Sequence, residues 1–264
     1  MSLPSRPYQK IRVATSASGE VATITLSVPE RRNAIGPQMM NELLWALTDI
    51  EPDPAVRVVV LTGDGKAFCA GGDFAAMHGG EASELPTKGD YADLLLGMMT
   101  FEKPIVARVN GHAMGGGLGL VAASTFAIAC EGAQLGTPEV DVGLFPMMIM
   151  AVLKKHVPRR RLLEMMLLGE RMPASEAAKL GLVNKVVTPD ALDATVASLV
   201  SRLLEKSPMA LRLGLRAFAE QDDLDLDHAL PLLRGKLGEC LATDDAREGL
   251  MAFLEKRRPV WTGK

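Results

Sequence analysis

The stretch NGHAMGGGLGLVAAS, residues 110–124, carries five glycines and runs into small apolar residues. A glycine in a helix interior costs about 0.5–1 kcal/mol relative to alanine. Gly115, Gly116, Gly117 and Gly119 therefore lower stability unless their bareness serves something. Two physical reasons suffice: a ligand that must approach backbone N–H groups closely, or two chain segments that must pack unusually tightly. The run KPIVARVNG (103–111) leads into it and, like VRVVVLTG (56–63), is short, continuously apolar and closed by glycine. Such runs suit strands buried on both faces between helices.

Outward from there the pattern continues. IRVATSASGEVATITLSV (11–28) reads as two strands around a turn at Ser18-Gly19, and TFAIACE (125–131) and AQLGTPEV (133–140) read as further short strands. PQMMNELLWALTDIE (37–51) has helical spacing, with Pro37 in the first turn. Strands and helices alternate to about residue 190, which predicts an α/β layer over residues 1–190. From Pro189 onward the periodicity is helical throughout, setting 191–264 apart as a helical region. Within it Pro231 starts or kinks a helix. The polar, glycine-bearing HGGEASELPTKGD (78–90) reads as a mobile loop of the kind that forms lids.

Composition excludes several function classes. With 48% hydrophobic and 23% charged residues and a net charge of −3, the chain offers no basic field for nucleic acid. No apolar run is long enough to span a bilayer, and the N-terminal residues lack the apolar core of a secretory signal. Cys69, Cys130 and Cys240 lie far apart without metal-ligand spacing, so no metal site is expected and a cytoplasmic setting is.

The glycines admit two functional readings. Gly117 to Ala122 fit the G-x-G-x-x-A fingerprint of a dinucleotide site, with Glu139 22 residues beyond Gly117. Only Leu118–Ser124 then separate the glycines from the next strand, roughly 10 Å of helix, too short for that crossover. The alternative is an anion hole, since N–H groups at a helix start are unsatisfied and lie at the positive end of the helix dipole. A second glycine-bearing loop, GDGKAFCAGGDF (63–74), follows VRVVVLTG. If the two strands are neighbours, the N–H groups of Ala70 and Gly116 converge on one oxygen.

FCAGGD, VNGHAMGGG, GTPEV, LVNKVV and DDAREGLMAFLEKRRP fall in the order and spacing of the crotonase superfamily, the enoyl-CoA hydratase/isomerase family. The sequence resembles this family from about residue 10 to the C-terminus. The resemblance implies a spiral of ββα units, a helical C-terminal trimerisation region giving a homotrimer or a dimer of trimers, and an acyl-CoA substrate. CoA is then part of the substrate, and no separate cofactor is implied. Ala70 and Gly116 become the oxyanion donors for the thioester carbonyl. CoA contacts are implied for Arg31, Arg32, Ala34, Ala70, Gly71, Gly72, Asp73, Phe74 and Gly116, with Phe253 and Lys256 near the adenine, often from a neighbouring subunit.

Side chains then decide the chemistry. Hydratases of this family typically carry two glutamates, one in the PE turn and one three residues beyond the hole glycine. Glu139 holds the first position, but Gly119 stands at the second. Orienting and splitting a water suits two carboxylates, whereas a double-bond shift needs one base. The expectation is therefore a single-glutamate enzyme on an enoyl-CoA, leaning to isomerisation over hydration. Rival readings are a CoA-binding homologue with little turnover, another reaction of the family such as hydrolysis or decarboxylation, and RNA binding, which the charge balance opposes. Among other candidates, Asp73 caps the next helix, Glu164 pairs with Arg160, and His112 is structural. His78 could reach an acyl group from its loop, Asp141 has no assigned role, and FPMMIM (145–150) is either acyl wall or core.

Overall fold

Ile11–Thr15 (β1) and Val21–Leu26 (β2) pair antiparallel around a turn in which Gly19 takes a positive φ of 78°. In this computed structural model, residues 3–79 and 83–264 are described. After a short 3₁₀ turn at Pro29–Arg31 comes Pro37–Ile50 (α1), which starts on Pro37 and has its apolar stripe against the core. Two strand–strand–helix repeats follow. Val58–Gly63 (β3) leads to Ala67–Cys69 (β4), then to Phe74–Gly79 (α2) and Tyr91–Met99 (α3). Ile105–Val109 (β5) leads to His112–Met114 (β6) and Gly116–Ala122 (α4).

The third repeat is longer. Phe126–Cys130 (β7) and Gln134–Gly136 (β8) precede a 3₁₀ turn at Pro138–Val142, then Met147–Leu153 (α5) and Arg159–Leu168 (α6). Arg171–Pro173 (β9), Ala174–Lys179 (α7) and Lys185–Val187 (β10) close the layer. Pro189–Leu204 (α8), Pro208–Gln221 (α9), Leu226–Leu241 (α10) and Asp244–Leu254 (α11) complete the chain. Among the described residues no strand follows β10, as the helical periodicity predicts. Pro231 sits inside α10.

The strands form two sheets, ordered β1-β2-β3-β5-β7-β10 and β4-β6-β8-β9. From β2 to β10 the first sheet is parallel, and every residue of β3 is buried, as its unbroken apolar run requires. Each repeat thus places one strand in the large sheet, one in the small sheet and a helix outside, winding a spiral. In the small sheet β4, β6 and β8 are parallel neighbours, so their carboxyl ends fall on one edge. The loops after Cys69, Met114 and Gly136 emerge there side by side. Ligand sites of parallel sheets form at such edges.

The C-terminal helices divide differently from the sequence pattern. α8 buries Leu192, Val196 and Val200 and packs on β5, β7 and β10, whereas α9, α10 and α11 pack chiefly on one another. The segment predicted as a mobile loop is tied down over much of its length. Asn41 and Trp45 of α1 donate to the Pro86 carbonyl at 3.0 and 2.9 Å, Lys88 N–H donates to Asn41 at 2.7 Å, and Asp90 caps α3. Residues 80–82 of that prediction lie outside the described residues.

Candidate active site

The three loops enclose a cavity of about 630 Å³ lined by Ala70, Gly71, Gly72, Phe74, Tyr91, Gly115, Gly116, Glu139 and an apolar wall. Both reasons for bare glycines apply. Gly115 has φ +48°, and a Cβ there would stand 2.8 Å from Glu139 Oε1 and 3.7 Å from the Gly71 Cα. The glycines after β4 and β6 therefore touch, with the Glu139 carboxylate laid over their junction. Gly117 serves packing instead, because a Cβ there would meet Cys69 Cβ at 2.6 Å.

The hydrogen bonds correct one oxyanion assignment. Ala70 N–H donates to the Arg32 carbonyl at 2.9 Å and is not available to a ligand. Ile35 N–H donates to Gly71 O at 2.7 Å, and Asp73 N–H donates to Ile35 O at 2.9 Å. Across a trans peptide the N–H points opposite to the C=O. The Gly72 N–H therefore points away from Ile35, and among the described residues it has no acceptor. The Gly116 N–H at the start of α4 is likewise unpaired, on a peptide whose carbonyl, Gly115 O, accepts from Gly119 N–H at 3.1 Å. Gly72 and Gly116, not Ala70 and Gly116, are the pair of free donors. The signal that singles out Gly72 is the backbone bridge to Ile35, a pairing over many residues that local spacing does not reveal.

Glu139 enters through the 3₁₀ turn at Pro138–Val142, held at the cavity by the end of β8. Its Oε2 is buried without a hydrogen-bond partner. Burial pushes its pKa above the ordinary carboxylate value, partly offset by its own backbone N–H. Glu139 lines the cavity, and a carboxylate there with one oxygen unpartnered has the capacity to take up a proton.

Gly119 is not an empty place. A Cβ there would lie 2.3 Å from the Tyr91 hydroxyl and 2.5 Å from Ile149 Cγ2. A glutamate at 119 would have to displace the phenol and repack Ile149. Tyr91 is almost fully buried, donates to the Gly116 carbonyl and lines the cavity beside Glu139. Sequence reasoning missed it: it lies 25 residues before Gly116, with no motif linking the two.

Other predicted residues fall as follows. Asp73 caps α2 through Ala76 N–H at 3.1 Å and pairs with Arg31 at 2.9 Å, facing away from the cavity lining. Arg32 and Ala34 belong to the strap that holds Ala70, which Asn33 pins by donating to Ala67 O and Asp64 O, both at 2.9 Å. Phe253 is 81% exposed on α11, and Phe253 and Lys256 are not among the cavity-lining residues. FPMMIM divides: Phe145, Pro146, Met147 and Met148 line the cavity, while Ile149 also packs under Gly119. Asp141 and Arg171, the latter not anticipated, sit exposed on the lining. His112 Nδ1 accepts from Gln134 N–H at 3.0 Å, a structural role. Glu164 pairs with Arg161 at 2.7 Å, not with Arg160, because residues three apart also share a helix face. The His78 side chain lies outside the described residues. Among the described residues no cluster of His, Cys, Asp and Glu could hold a metal, and no helix is long and apolar enough to cross a membrane.

The family model for enoyl-CoA hydratase/isomerase matches residues 16–264. The chain is 35% identical over 248 residues to a crotonyl-CoA hydratase of Syntrophomonas wolfei, covering 93% of this chain and 95% of that protein. It is 32% identical over 254 residues to a short-chain-enoyl-CoA hydratase of Clostridium acetobutylicum, covering 93% and 95%. Among solved structures, an enoyl-CoA hydratase of Mycobacterium smegmatis superposes with a TM-score of 0.88 at 32% identity, covering 96% of this chain and 99% of that one.

Proposed function

Because the chain belongs to the enoyl-CoA hydratase/isomerase family, we propose that it adds water across the double bond of a 2-enoyl-CoA, with Glu139 as its single proton-carrying carboxylate. The observation that carries this reading is the Glu139 carboxylate, with Oε1 beside the junction of the two glycine loops and Oε2 buried without a partner. The thioester oxygen would rest between the Gly72 and Gly116 N–H groups. Glu139 takes a proton from water as the water oxygen bonds to C3, and the C2=C3 electrons move onto the thioester oxygen. Glu139 then returns the proton to C2. Each preorganised donor at that oxygen contributes about 2.7–4 kcal/mol where charge develops.

The acyl tail lies against Met147, Met148, Leu144 and Phe74, which the cavity leaves partly exposed. CoA enters as part of the substrate, with no separate cofactor. Its phosphates run past the strap carrying Arg31, Arg32 and Ala34. Arg31 already faces Asp73, so Arg32 is the better placed cation. Phe253 and Lys256 of a second copy cover the adenine in a homotrimer.

Double-bond isomerisation is the second reading, favoured by the missing carboxylate at 119. The hydratase names of the relatives and the phenol that fills the place of that carboxylate support hydration instead. Assaying one purified preparation on a 2-enoyl-CoA with water and on a 3-enoyl-CoA decides between them. Hydration dominating is expected. Isomerisation alone would make the enzyme an isomerase, and turnover of neither would leave a CoA-binding protein.

A further inference from the structure

Addition of water to C3 requires the water to face three ways: a lone pair toward carbon, and two hydrogens toward acceptors. Glu139 Oε2 receives one hydrogen, the one it removes. The second needs a fixed acceptor, and Gly119 brings none. Asp90, which also lines the cavity, already accepts from Ala92 and Asp93 N–H at 2.8 and 3.1 Å to cap α3. Asp141 and Arg171 are exposed on the lining.

We propose that the Tyr91 hydroxyl is this second group, accepting a hydrogen bond from the water that Glu139 deprotonates. The proposal rests on the hydration reading above. Three features place it. The phenol oxygen stands 2.3 Å from where a side chain at 119 would begin. It lines the same cavity as Glu139. Its own hydrogen is committed to the Gly116 carbonyl, which leaves the oxygen lone pairs to act as acceptors. Burial, with the nearby Cys69 and Glu139, holds the phenol well above its usual pKa, so the O–H stays intact at working pH and the oxygen serves as a neutral acceptor. Tyr91 exchanges no proton. The water proton goes to Glu139 and then to C2, and the phenol fixes only the direction of attack.

The test is Tyr91→Phe, which removes one oxygen and keeps the ring in place. Two rates are read on each preparation: hydration of a 2-enoyl-CoA, and exchange of the C2 hydrogen of butanoyl-CoA with solvent deuterium. The exchange uses Glu139 and the Gly72–Gly116 hole but no nucleophilic water. Loss of one hydrogen bond made to the attacking water is expected to lower hydration kcat by about tenfold or more, with KM and the exchange rate nearly unchanged. Equal losses in both rates would mean that Tyr91 only holds the Gly116 peptide, and no loss would mean that it does nothing; either overturns the proposal. A wild type that exchanges but does not hydrate refutes the hydration reading and the role of Tyr91 with it. A wild type that does neither counts against Glu139 itself.

Discussion

Burial of the Glu139 carboxyl has opposite consequences for catalysis and for stability. Its folded-state pKa is raised above the ordinary value because burial penalises the charged form. As a base it must be ionised, so kcat/KM should fall as the pH drops through that raised pKa. For folding the sign reverses. A carboxyl whose pKa is higher folded than unfolded favours the fold at low pH, and that contribution is lost as the pH rises through the folded pKa. Glu139→Gln should therefore lower kcat by about 10²–10⁴-fold, leave acyl-CoA affinity little changed, and raise Tm at neutral pH. The Tm gain should shrink on acidification. Rate profiles and melting curves across pH check both halves. A variant that retains a tenth of the wild-type rate removes Glu139 from the mechanism. At this scale the glycine run pointed to Gly116 and the family resemblance to Glu139, and both line the cavity. Neither separated Ala70 from Gly72, because the two differ only in which way their peptides face, and Ile35, far along the chain, decides that. Tyr91 was illegible for a similar reason: its phenol meets Gly119 only once α3 packs against α4.

Among the elements, α1 shows how much an amphipathic pattern conceals. Its periodicity and its start at Pro37 are plain from sequence, yet Glu42 in its middle is 1% exposed. The carboxylate accepts from Gln9, Lys10 and Ile11 N–H at 3.0, 2.8 and 3.1 Å, and from Gln38 Nε2 at 2.9 Å. It thus ties the entry of β1 to the helix, satisfying N–H groups that no neighbouring strand reaches. Of the three N–H groups, that of Ile11 is buried and those of Gln9 and Lys10 are part-buried, and stranding a buried one costs about 1–3 kcal/mol before relaxation. Glu42→Ala should therefore lower stability by about 2–4 kcal/mol in urea denaturation, with Glu42→Gln intermediate. An Ala variant within about 0.5 kcal/mol of wild type would show that the strand entry is held by something else. A polar letter at a helical position carries no sign of whether it faces water. β2 was readable because its burial alternates, and β3 and β5 because their runs are short, apolar and closed by glycine.

Over the whole chain, α10 carries Leu226, Leu230, Leu237 and Leu241 along one stripe, all largely exposed, and α11 adds Leu250 and Leu254. An apolar stripe of this length, exposed on a single copy of the chain, is suited to packing against another copy. The expected assembly is a trimer, so light scattering at micromolar concentration should return about three chain masses, or about six for a pair of trimers; a monomer overturns this. The spiral itself was legible as alternating strand and helix, but the split into two sheets was not, since β4, β6 and β8 are three residues each and carry no periodicity. Those three short strands have a further consequence for descent. The loops after them carry the unpaired Gly72 and Gly116 N–H groups, which belong to the main chain, so no side-chain substitution short of proline can delete them, and a lineage inherits this pair of donors whole. The groups open to substitution are those set around it, at 91, 119 and 139. Diversification of such a scaffold is then a matter of exchanging proton carriers and water holders about a fixed centre, with packing such as that of Tyr91 and Ile149 against Gly119 determining which exchanges can be made one at a time.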